Sequence, residues 1–134
     1  DLPTWRYFDD MEMVIARSDW TTDATCLVFR CGPPMGYHAF GFDAIGYGHA
    51  HQDQNHFMLF DRGQYLVWDT GYSRYKLTRE HNTILIDGRG QIGEGTTWFH
   101  RPIKKDELAS IRRFFGSRDY VYVCGDATRA YWKD

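Results

Sequence analysis

A chain of 134 residues is long enough for one domain with a real core, and a 17% aromatic share with nine tyrosines and five tryptophans supplies much of the filling. Its 16 basic and 18 acidic residues leave a formal charge of -2, which offers no electropositive field for a nucleic-acid backbone. No apolar run reaches the length of a membrane span, so neither nucleic acid nor membrane is an expected partner. The start Asp1-Leu2-Pro3-Thr4-Trp5 lacks the basic-then-apolar order of a secretory signal, which leaves the compartment open, since a processed or excised chain would have lost any address.

In chain order, Thr25-Cys26-Leu27-Val28-Phe29-Arg30 reads as a strand that stops at Gly32-Pro33-Pro34, because proline cannot continue a ladder. The runs His56 to Phe60 and Gln64 to Asp69 flank Asp61-Arg62-Gly63, whose glycine suits a short hairpin loop; they are expected to pair antiparallel. Thr83-Ile84-Leu85-Ile86-Asp87 reads as a further strand ending at Gly88-Arg89-Gly90. Helical periodicity is weak, and the one candidate, Lys104 to Phe114, is ambiguous: Leu108, Ile111 and Phe115 fall at helical spacing, yet Arg112-Arg113-Phe114-Phe115 equally begins a strand. Tyr120-Val121-Tyr122-Val123 supplies the last run. Cys26 and Cys31 lie an odd number apart and would face opposite sides of one strand, so free thiols are expected for the three cysteines. Short strands between turn signals, with no linker or repeat, predict a single all-β domain over residues 1–134, an antiparallel β-sandwich. The stretch from Gly125 to Asp134 shows no closing strand, which suggests that the sandwich is incomplete.

The chemistry concentrates in Gly48-His49-Ala50-His51-Gln52-Asp53-Gln54-Asn55-His56, Asp69 and His81-Asn82. If this segment leads straight into a strand, alternation puts His49, His51 and Asp53 on one face and turns His56 away as a structural residue. Zinc needs neutral imidazoles and carboxylates drawn from separate strands, and His51, Asp69 and His81 can meet that need. The start of one antiparallel strand lies beside the end of the next, which brings His51 to Asp69, and His81 closes the triangle. Any one of these histidines alone reads as a surface or hydrogen-bonded core residue; the case rests on their convergence. Asp53 is expected to hold an imidazole N–H from behind. Tyr72 and Tyr75, between Asp69 and His81, are candidates for sugar contact, with ordinary loop packing as the plainer reading. The same weighing applies to Trp98, Arg101, Lys104 and Lys105.

Taken with Leu66-Val67-Trp68-Asp69-Thr70-Gly71-Tyr72 and His81-Asn82-Thr83-Ile84-Leu85-Ile86-Asp87-Gly88, the histidine segment resembles the β-sandwich portion of the heparinase II/III-like polysaccharide lyases, which include alginate and oligoalginate lyases. Arg17-Ser18-Asp19-Trp20 and Gly125-Asp126-Ala127-Thr128-Arg129-Ala130-Tyr131 extend the likeness over nearly the whole chain. The resemblance implies zinc ligands at His51, Asp69 and His81 and a catalytic or substrate-neutralising histidine at His49. It further implies β-elimination on an acidic, uronate-containing polysaccharide or oligosaccharide, a secreted or periplasmic enzyme, and a substrate cleft shared with an N-terminal helical toroid. The toroid and its catalytic tyrosine lie outside these residues, so the piece is expected to be inactive alone. The zinc is expected to be structural, aiming His49 through its neighbour His51.

Two other classes compete. His51, Asp53 and His81 fit the two-histidine, one-carboxylate triad of non-haem iron oxygenases, with Arg89 available for a 2-oxo acid, although this leaves Asp69 without a role. A metal-stabilised, cupin-like sugar-binding module without catalysis is the other; Gly46, His49 and His51 suit it, but Asn55 and His56 stand where its glutamate is expected.

Overall fold

The computed structural model describes residues 2–38, 49–95 and 108–131. Five strands, β1 (Trp5–Phe8), β2 (Met13–Arg17), β3 (Cys26–Arg30), β4 (His56–Asp61) and β5 (Gln64–Val67), form one antiparallel sheet in sequence order. Two more, β6 (Ser110–Gly116) and β7 (Val121–Asp126), form an antiparallel pair. No α-helix occurs among the described residues, and the fold is all-β, as expected.

The β4–β5 hairpin forms where the sequence places it. Arg62 (φ 44°) and Gly63 (φ 80°) both take the left-handed conformation, the geometry that lets a two-residue loop follow the twist of its strands. Layering follows from alternation on β1, where Trp5 and Tyr7 turn inward and meet Phe114 of β6 at ring distances of 5.3 and 5.1 Å. The Trp5 indole N–H donates to the Ser117 carbonyl at 3.1 Å, fixing β1 to the end of β6. Behind them, Cys31, Ala109, Ala127, Ala130 and Tyr131 form a buried cluster with Phe29 and Ile111 packed on it. All three cysteines are free thiols, and burial pushes that of Cys31 up to about 12.

The β1–β2 turn is tied to β6 by one buried carboxylate. Glu12 accepts hydrogen bonds from the Tyr7 hydroxyl (2.5 Å), the Tyr37 hydroxyl (2.9 Å) and the Ile111 N–H (3.0 Å). Three donors compensate the cost of burying the group. Burial and the adjacent Glu12 in turn raise the Tyr37 phenol to about 12 and move Tyr7 in the same direction.

One ambiguity is resolved and two expectations are corrected. The helical spacing near 108–115 belongs to a strand: β6 starts at Ser110, and a bulge between Ile111 and Arg113 turns Arg112 and Arg113 outward in succession. The extra residue sets the inward Ile111 and Phe114 three apart, a spacing that mimics a helix, while Phe115 is exposed and Leu108 precedes the strand. Residues 104–107 of that candidate lie outside the described residues. Thr83 to Asp87 is not a regular strand; Ile86 and Arg89 exchange backbone hydrogen bonds around Asp87 (φ 51°) and Gly88 (φ 76°), and Ile84 and Ile86 remain half exposed. Finally, β4 begins only at His56, and residues 50–55 run as turn and coil, so His49, His51 and Asp53 do not share a strand face.

Candidate metal centre

Where β4 begins and β5 ends, four ionisable side chains gather. His56 is the first residue of β4, while Asp69 lies two residues past β5, which pairs with β4. The neighbourhood inferred from antiparallel pairing is therefore real, but the residue at the strand start is His56 rather than His51. Its Nε2 stands 3.5 Å from Asp69 Oδ2. His81 approaches the same oxygen through Nδ1 at 2.7 Å, and Asp69 Oδ1 accepts the Gly71 N–H at 2.5 Å. His56, Asp69 and His81 each present a ligand atom, all within 4.8 Å of one another.

His51 joins this group from the coil before β4. Its Nδ1 lies 2.9 Å from His81 Nε2, and its ring is 5.2 Å from that of Tyr72. A carboxylate only accepts, so His81 Nδ1 carries the proton toward Asp69. In neutral His81, Nε2 is then the acceptor, and His51 donates to it from Nδ1. The chain of protons ends at His51 Nε2, a bare lone pair. This atom is buried with no hydrogen-bond partner among the described residues, as is His56 Nδ1.

Electrostatics favour the neutral imidazoles that ligation requires. Burial, reinforced by neighbouring His81, holds His51 below the ordinary imidazole value, and burial does the same for His56. At Asp69 burial opposes ionisation, but the hydrogen bonds from His81 and the Gly71 N–H outweigh it, and the carboxyl stays below its usual range. The donor set is thus a carboxylate with imidazoles, of which His51 keeps a buried Nε2 without a partner among the described residues, and it suits a borderline cation such as zinc.

The surrounding loops are tied to this point. Asn82 donates from Nδ2 to the carbonyls of Phe57 (3.0 Å) and Trp68 (2.8 Å), clasping the start of β4 to the exit of β5 beside His81. Gln54 and Gln91 exchange hydrogen bonds at 2.9 Å, and Thr83 Oγ1 also donates to the Gln54 carbonyl (2.5 Å). The 70–80 loop is held by its own contacts: Glu80 accepts from the Ser73 hydroxyl and the Leu77 N–H, and the Thr70 hydroxyl donates to the Glu80 carbonyl at 3.0 Å.

The structure gives Asp53 a different partner from the imidazole expected. Its Oδ1 pairs with Arg30 Nη1 at 2.9 Å, and Arg30 also donates to the Pro33 carbonyl at 3.0 Å, so the pair anchors the loop ahead of β4 to β3. His49 lies exposed at the rim, with Nδ1 3.1 Å from the Tyr72 hydroxyl. Tyr72 and Tyr75 are both well exposed, at 64% and 57%. Lys76, almost wholly buried, has its Nζ 6.0 Å from the centre of the Tyr72 ring, and burial lowers its pKa. Gly46, Gly48, Trp98, Arg101, Lys104 and Lys105 lie outside the described residues.

A family model described as heparinase II/III-like, C-terminal, matches residues 2–133. The chain belongs to this family. No curated protein matches it. The heparinase-like chain therefore carries its clustered histidines on a β-sandwich scaffold, and the family connects it with polysaccharide lyases. His56 is the residue that sequence reasoning assigned wrongly. Asn55 directly before it takes φ 59°, a conformation that asparagine tolerates, and this breaks the alternation on which the outward assignment rested.

Proposed function

We propose that this chain is the sandwich side of a polysaccharide lyase that cleaves uronate-containing glycans by β-elimination. The observation that carries the proposal is His49, an exposed imidazole at the rim of a buried histidine–carboxylate cluster, in a chain of the heparinase II/III-like family. In the reaction, a base takes the proton from the ring carbon that bears the carboxylate. The electron pair forms a double bond to the adjacent carbon, the glycosidic carbon–oxygen bond breaks there, and an acid protonates the departing oxygen. His49 serves at the uronate, either removing that proton or countering the enolate-like charge that develops on the carboxylate. Tyr72 stands beside His49, and the exposed Tyr75 of the same loop is the candidate for sugar contact. The opposite wall of the cleft is the N-terminal helical toroid, and the enzyme acts in the periplasm or outside the cell, where acidic polysaccharides are met.

The buried cluster would hold zinc through Asp69, His81 and the imidazoles of His56 and His51. When bound, zinc supplies a fixed positive charge that locks the β4 start, the β5 exit and the 70–80 loop together. This chain's own residues then do the positioning: Gly71 N–H and Asn82 hold the loop, and His49 is presented to substrate.

The test is His49→Ala in the full-length protein, with alginate, heparosan and chondroitin as substrates and the ultraviolet absorbance of the unsaturated uronate as readout. We expect elimination to fall at least about a hundredfold, the usual scale for a general acid–base group. Unchanged rates would remove His49 from the reaction. Binding of these polymers by the wild-type enzyme without any turnover would favour a non-catalytic carbohydrate-binding module instead.

A further inference from the structure

We propose that Tyr72 is a positioning residue that sets the orientation and tautomer of His49 through its hydroxyl, an inference that rests on the lyase reading above. An exposed imidazole has no fixed direction unless something holds one of its nitrogens, and catalytic histidines are commonly oriented by a hydrogen bond at the nitrogen that does not react. Here that contact is His49 Nδ1 to Tyr72 Oη at 3.1 Å, across 23 residues of sequence. When the tyrosine oxygen accepts from Nδ1–H, the His49 tautomer is set, with its lone pair on Nε2.

Tyr72 is itself held. Its ring lies 5.2 Å from the buried ring of His51 and 6.0 Å from Lys76 Nζ, and it follows Gly71, whose N–H is bound to Asp69. The buried cluster thus fixes the start of the 70–80 loop, the loop fixes Tyr72, and Tyr72 aims His49. A sugar-stacking tyrosine would need its ring face. The role inferred here needs only the hydroxyl.

That difference makes the experiment decisive. In the full-length protein, on whichever of alginate, heparosan or chondroitin it cleaves fastest, Tyr72→Phe should lower kcat about tenfold or more and leave KM within about twofold, the scale for losing a partner that orients a histidine. In a His49→Ala background the same change should cost nothing further, since the hydroxyl acts only through that ring. Nitrogen-15 spectra of histidine-labelled protein should show the His49 tautomer balance shift in Tyr72→Phe while His51 stays unchanged. Full activity of Tyr72→Phe with a raised KM in Tyr72→Ala would assign the residue to sugar stacking and overturn the inference. So would losses that simply add in the double variant, or an unmoved His49 spectrum. If wild-type protein cleaves none of the three polymers, the lyase reading fails by itself, and the spectra still decide whether Tyr72 orients His49.

Discussion

At the scale of single residues, the cluster makes stability depend on pH in a definite direction. His51 and His56 titrate below the ordinary imidazole value of 6.5 in the fold, so between their folded values and 6.5 the unfolded chain binds more protons. Their contribution is complete above 6.5 and is lost as the pH falls through that range. Asp69, held below its ordinary 3.8, acts with the same sign further down: its contribution is present above 3.8 and is lost as the pH falls through its folded value. Metal-stripped protein should therefore lose stability on acidification from about pH 7, first as the histidines charge and again below about pH 4. Denaturant midpoints measured across that range check this, and a midpoint that is flat or rises toward acid would contradict it. Residue types were the legible part of the site, because neutral imidazoles near a carboxylate announce their chemistry wherever they occur. Which imidazole faces the carboxylate was not legible. His51 and His56 are both buried beside His81, and only the left-handed turn at Asn55 decides that His56 points at Asp69.

At the scale of elements, close approaches between loops and strands hold the site in place. Gly125 on β7 admits the loop ahead of β4: a Cβ there would stand 2.7 Å from Cys31 Sγ and 2.1 Å from Asn55 Oδ1, and its carbonyl accepts from Asn55 Nδ2 at 3.5 Å. Gly125→Ala should accordingly destabilise the fold by about 1–3 kcal/mol, as overpacking does, and should displace Asn55 and with it His56. Chemical denaturation gives the first effect and the histidine resonances the second; a variant as stable as wild type would mean that the two segments separate easily. The β4–β5 hairpin was legible from Gly63 and two β-rich runs, because a tight turn is decided locally. β1 and β2 were not, since Glu12 at φ 48° makes their turn and its stabilising partners, Tyr37 and Ile111, are distant in sequence. The Ile84-Leu85-Ile86 run shows the opposite error: strong β-propensity without a partner strand among the described residues gives only a turn and one bridge.

At the scale of the whole molecule, a five-stranded sheet and a two-stranded layer make the scaffold, and the end where β4 begins and β5 exits carries the chemistry. The coil before β4, the exit from β5 and the 70–80 loop meet at His56, Asp69 and His81, with His51 behind and His49 outside on the rim. The family likeness was legible because its motif runs through all three segments, whereas the layering depends on ring contacts such as Trp5 with Phe114 that no local pattern encodes. A metal ion held where these segments meet would join them and organise the rim. Elemental analysis of the purified full-length protein and its His56→Ala, Asp69→Ala and His81→Ala variants tests it most directly. About one zinc per wild-type chain is expected, with no iron, and its loss in each variant. Wild-type protein that retains no metal after purification in zinc-supplemented buffer, or that carries iron instead, would contradict it.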